Sequence, residues 1–233
     1  VEAIFLSWAG SAVVFTLLAV FLGYAATVGT GPLGILIDSR GRFSLNHLQL
    51  IAWTIVILSL VCGVCLGRWF DGLADPLGFS IPSQVLGLLG VAGGSAVIAG
   101  GVKSVRGTTS PELVAASNEV DKPHLPQIFL AEEGAFADKV IDVGKFQGFI
   151  VTAVLIVAYV ALAIQTINDA GSVENLTSLP DFSPTFLTLL GISQGTYVLG
   201  KIPGKQGKPK GLTVALLETD PELNDPEVSA RNP

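Results

Sequence analysis

The sequence predicts an all-α membrane protein of about five transmembrane helices, one N-terminal helix followed by two parallel-repeat hairpins with small β-like caps. Three observations carry this. Charged residues are 14% of the 233, against roughly 25% in an average soluble chain, and the mean hydropathy is +0.63. Such a chain cannot cover itself with water-compatible surface. Its apolar residues are gathered into runs approaching the ~20 needed to cross about 30 Å of hydrocarbon. The pattern of one pair of runs then recurs in a second pair, and a repeat of this kind sets the architecture before any motif does.

The first span runs from about Ile4 to Val28 and the second from about Leu48 to Leu66. The third, about Val85 to Val102, is short and glycine-rich; the fourth runs from about Phe146 to Ile167. The fifth, about Phe186 to Ile202, is the least apolar because it holds Ser193, Gln194, Thr196 and Tyr197. These divide the chain into an N-terminal helix (1–33), a first repeat (34–103), a linker (104–126), a second repeat (127–202) and a tail (203–233). With five spans, twelve of the thirteen Lys and Arg residues fall on one side and only Arg68 on the other. Cytoplasmic connections retain Lys and Arg, so the N-terminus is expected outside and the C-terminus in the cytoplasm. The chain contains no Met, so it is expected to be processed or shortened at its start.

The repeat is legible residue by residue. SLNHLQLIAWTIVIL from Ser44 lies over DVGKFQGFIVTAVLI from Asp142, placing Gln49 on Gln147 and Thr54 on Thr152. Ser44 and Asp142 are both good N-cap residues. PSQVLGLLGVAGGSAVIAGG from Pro82 lies over SPTFLTLLGISQGTYVLGKI from Ser183, pairing Gly90 with Gly191, Gly94 with Gly195 and Ser95 with Thr196. Each unit has two spans, so the copies are expected to be parallel and not inverted. Gly90 and Gly94, and Gly191 and Gly195, form G-x-x-x-G faces on which two helix backbones can touch. Gln49 and Gln147, polar residues at the helix starts, are expected to satisfy each other or a carbonyl across the bundle, and Thr54 and Thr152 are the other matched polar positions of the repeat.

A short β-like stretch and a polar turn precede each repeat: GILIDSRGRFS from Gly34 and QIFLAEEGAFADKV from Gln127. A third such run, LTVALLE from Leu212, lies in the tail. All three are expected on the cytoplasmic side, capping the bundle.

The chemistry-bearing residues are few. Cys62 and Cys65 lie inside an apolar run with no His or acidic neighbour to complete a site and read as small buried residues. His47 and His124 are the only histidines, and neither lies inside a span as a haem or pigment ligand would. No nucleophile triad, zinc-binding helix or phosphate loop is present, and no metal or cofactor is expected. The net charge of -6 without a basic block argues against a nucleic-acid partner. No ionisable residue is expected near the middle of a span, which counts against ion-coupled transport.

The hairpin opens with S-L-x-x-x-Q-x-x-x-W-T, carried by Ser44, Leu45, Gln49, Trp53 and Thr54, and closes with L-L-G-I-S-x-G-T, carried by Leu189 to Ser193, Gly195 and Thr196. It resembles a repeated two-helix unit of uncharacterised bacterial integral membrane proteins, over roughly residues 34 to 202. The resemblance implies a bacterial cell or internal membrane, and carries no activity. Trp53 has no counterpart in the second copy, where Val151 stands, and Ser193 is Ala92 in the first.

The leading functional expectation is a non-catalytic anchor or scaffold in the lipid bilayer, a homo-oligomer or a subunit of a larger complex. The alternative is a homo-oligomeric channel for ions or small solutes, its pore lined by Ser95, Ser193, Gln194 and Thr196. A third is a pigment- or quinone-associated accessory subunit.

Overall fold

The computed structural model describes residues 1–26, 31–38, 41–90, 93, 123–132 and 138–199. It is mostly helical. Helix α1 covers Glu2–Ala26 and α2 covers Leu45–Phe70. A shorter segment, α3, covers 83–90; α4 covers Val143–Ala170 and α5 Pro184–Leu199. Three of these, α1, α2 and α4, are long and apolar enough to cross a membrane. The third and fifth expected spans begin as α3 and α5, and their remaining residues, 94–102 and 200–202, lie outside the described ones.

Among the described residues the expected β-like caps form no strand. The run from Leu212 lies outside the described residues; each of the other two is a 3-10 turn, Gly31–Leu36 or Leu125–Ile128, followed by one isolated antiparallel pair, Ile37 with Phe43 or Leu130 with Ile141. The backbone bonds are the same in both. Asp38 N–H donates to Arg42 O and Ser44 N–H to Leu36 O, both 2.8 Å; Ala131 N–H donates to Val140 O at 2.9 Å and Asp142 N–H to Phe129 O at 2.8 Å. The chain turns back too soon for a longer ladder, because Ser44 and Asp142 already stand at the helix N-caps. Asp142 caps with its carboxylate, accepting from Gly144 N and Lys145 N; the buried Ser44 makes no side-chain cap bond.

Helix α1 packs chiefly on α2, and glycines set their separation. A Cβ on Gly63 would lie 2.6 Å from Trp8 Cα, and one on Gly67 2.7 Å from Ile4 Cγ1. This is a G-x-x-x-G contact, in the second span. Trp8 Nε1 donates to Ser59 Oγ at 3.2 Å beside it. The main core gathers Trp53, Ile57, Leu60 and Val64 of α2, Val85 and Leu88 of α3, and Leu155, Tyr159 and Ile167 of α4. It also takes in Val173, Leu176, Leu179 and Phe182 from the non-helical connection between α4 and α5. That connection leaves α4 at Gly171, whose left-handed φ of 66° suits glycine at a helix C-terminus.

Candidate functional site

Two places concentrate polar side chains. The first is the junction of the two caps. Arg42, 2% exposed, forms a two-pronged ion pair with Asp138 of the other cap. Lys145, fully buried at the start of α4, is paired with Glu132 at 2.8 Å and donates to the carbonyls of Leu130 (2.8 Å) and Gln127 (3.3 Å). Gln127 is also fully buried, and its Oε1 accepts from Phe43 N of the first cap and His124 N of the second. Leu36, Phe43, Leu45 and Ile128 fill a small separate core beneath. A buried ion pair is weak support for stability but fixes geometry strongly, because either charge without its partner is costly. The caps are thus held in one arrangement relative to each other.

The second place is the seam between α2 and α4. Gln49, buried, donates through Nε2 to Gly148 O (3.0 Å) and Thr152 Oγ1 (2.8 Å). A small cavity of about 130 Å³ adjoins this contact, between Leu48, Ala52, Phe149 and Ile156. Across the bundle Gln49 thus bonds a carbonyl, Gly148 O, and the Thr152 hydroxyl, and not Gln147. The matching pair does not form: Gln147 is exposed on α4, and the Thr54 hydroxyl donates to Leu50 O of its own helix at 2.7 Å. Further along the seam Trp53, Tyr159 and Phe182 make an aromatic cluster, with Phe182 stacked on Tyr159 at 4.5 Å and edge-on to Trp53 at 6.0 Å. Trp53 Nε1 and Tyr159 OH are buried there without a partner.

At the far end from the caps, Arg68 is 6% exposed and donates to three loop carbonyls, Asp75 O, Val173 O and Leu176 O. The two connections also brace each other: Ser80 N–H donates to Thr177 O at 2.9 Å and Leu179 N–H to Ser80 O at 3.0 Å.

Comparison of the chain with known protein families, with curated proteins and with solved structures finds no match. Chemistry must therefore be argued from these contacts alone.

Of the remaining expected residues, a Cβ on Gly90 or Gly191 would meet nothing within 4 Å among the described residues. Gly94 and Ser95 lie outside the described residues, as do the side chains at Ser193, Gln194, Gly195 and Thr196. Cys62 and Cys65 are free thiols, and Cys62 lines an apolar groove of about 610 Å³ between α1 and α2. Among the described residues no group of His, Cys, Asp and Glu is placed to hold a metal.

Sequence reasoning missed the cap junction because it treated Arg42 and Lys145 as tokens in a charge count. The available signal was their position, Arg42 two residues before one helix cap and Lys145 three after the other.

Proposed function

We propose that the protein is an integral membrane anchor or scaffold subunit, non-catalytic, whose two caps face the cytoplasm and dock a soluble partner or a larger assembly. It has five spans with the N-terminus outside, and its two hairpins are copies of one unit; the identical backbone bonding of the two caps supports that duplication. The observation that carries the reading is the cap junction. Arg42, Asp138 and Gln127 tie the two segments into a single rigid surface, and a preformed surface spares a partner the cost of ordering it.

The test is purification in mild detergent of the wild-type chain and of Arg42→Gln, followed by native mass measurement. The expected result is a reproducible assembly that the variant loses while remaining in the membrane at wild-type level. A sealed homo-oligomer without other subunits, unchanged by Arg42→Gln, would overturn the reading.

A second reading, a homo-oligomeric channel, draws support from the deep course of the 171–183 connection between the helices, since irregular backbone at membrane depth is tolerated where it is buried in protein or lines a water-filled cavity. Ion or solute flux through reconstituted liposomes would establish it, and flux equal to empty vesicles would remove it.

A further inference from the structure

Polar groups of the 171–183 connection and of the start of α5 lie where a bilayer offers them nothing to bond. Helices α2 and α4 run in the same direction: Gln49 near the start of α2 meets Gly148 and Thr152 near the start of α4. Arg68 near the end of α2 reaches Val173 and Leu176 just beyond the end of α4. The 26 residues of α2 span about 39 Å at 1.5 Å per residue, somewhat more than the roughly 30 Å hydrocarbon core. Trp53 is the ninth of those residues, and Tyr159 is the seventeenth of the 28 in α4. They stand about 12 Å and about 24 Å along their helices. Phe182 packs against both rings, so residue 182 sits near the middle of the bundle although it belongs to a connection.

The other connection reaches a similar level. A Cβ on Gly93 would touch Leu50 Cδ1 at 4.0 Å, close to the start of α2. A Cβ on Gly87 would meet Leu187 Cδ1 at 3.8 Å, and these residues stand four beyond Ser83 and four beyond Ser183, so α3 starts level with α5, again near the middle. Local sequence explains why neither helix starts sooner. Pro82 precedes α3; Pro180 bars helix before α5, which opens with Ser183 as cap and Pro184 as first residue, the favoured order at a helix start.

At this depth the backbone N–H groups of Asp181, Phe182 and Ser183 have no acceptor among the described residues. Asp181, Ser183 and Thr185 are exposed. Unpaired amides and a carboxylate are costly against hydrocarbon, and both are satisfied by water. We infer that a water-filled cleft enters the bundle from the Arg68 end, between the 77–84 and 177–185 segments, and reaches the level of Ser183. The carboxylate of Asp181 and the hydroxyls of Ser83, Ser183 and Thr185 line it, and α3 and α5 begin from its floor. The cleft depends on neither functional reading above: a cleft in a protein that conducts nothing removes the channel and leaves the cleft.

Thiol accessibility tests it. In the full chain with Cys62→Ala and Cys65→Ala, single variants Ser183→Cys, Thr185→Cys and Ser83→Cys are treated with a membrane-impermeant thiol reagent, in intact spheroplasts and in inverted vesicles. Glu174→Cys marks the Arg68 end, and Val157→Cys, exposed on α4 at comparable depth, marks the lipid-facing surface. The expected result is labelling of positions 183, 185 and 83 from the same side as position 174, several-fold faster than position 157. Three sites on two segments guard against one variant that fails to fold. Labelling no faster than at position 157, or only from the side opposite to position 174, overturns the cleft.

Discussion

At the cap end, two segments far apart in sequence close with the same pair of backbone bonds and are then joined by the Arg42–Asp138 ion pair and the bond from Phe43 N to Gln127 Oε1, while Lys145 with Glu132 ties the second cap to its own helix. At the far end the connections 71–82 and 171–183 differ in length and bonding, and one guanidinium, Arg68, gathers three of their carbonyls. The cap end is built locally, each cap closing its own pair of backbone bonds, and its two halves are then locked together. The far end exists only by contact between the halves, in the Ser80 to Thr177 and Leu179 bonds and the Arg68 fan. Similar sequence units have thus been given a rigid joint at one end and an interleaved one at the other.

Four substitutions can break or sharpen this contrast. The largest effect is expected from Lys145→Met, which leaves Glu132 buried beside an apolar chain and should cost about 3–5 kcal/mol. Thermal unfolding in detergent should show a markedly lowered midpoint; a midpoint within a degree or two of wild type would mean that this buried pair does not hold the second cap on its helix. Next comes Arg68→Met, which strips the donor from buried carbonyls and should cost about 1–3 kcal/mol. Its signature is local. Hydrogen exchange should accelerate across 173–182 while the caps keep their protection, and equal acceleration at both ends would erase the distinction drawn here. The smallest effect separates the copies themselves: Gln49→Leu should cost about 0.6 to 1.7 kcal/mol, the range for hydrogen bonds between membrane helices. Gln147→Leu should stay within about 0.5 kcal/mol, as for a surface change. Equal losses would show that the two glutamines act as a symmetric pair after all.

The spans α1, α2 and α4 were legible because long apolar runs leave few alternatives, and the starts of α2 and α4 because Ser44 and Asp142 are typical cap residues. The caps were placed correctly in sequence but expected as strands. The short apolar run Ile35, Leu36 and Ile37 satisfies a 3-10 turn followed by a single pair as readily as a ladder, and no periodicity separates the two over so few residues. The close helix contact was looked for at Gly90 and Gly191, where the repeat drew attention. Gly63 and Gly67, whose aligned positions are Ala161 and Gln165, carry the approach of α1, while the Gly94 and Gly195 halves of the expected faces lie outside the described residues. Depth was the least legible property. Asp181 reads as part of an external connection, and only the long-range packing of Phe182 on Trp53 and Tyr159 brings it down to the middle.

The Gly63 and Gly67 contact with Trp8 and Ile4 bears on the order in which the protein is made. Every atom of that contact, and of the Trp8 to Ser59 bond, has been synthesised once residue 70 is reached, so α1 and α2 can pair as a finished hairpin while the rest is still on the ribosome. Arg42 must wait for Asp138 and Gln49 for Thr152. The first half therefore enters the bilayer as a seated template with its polar side chains still open, and the second half folds onto it.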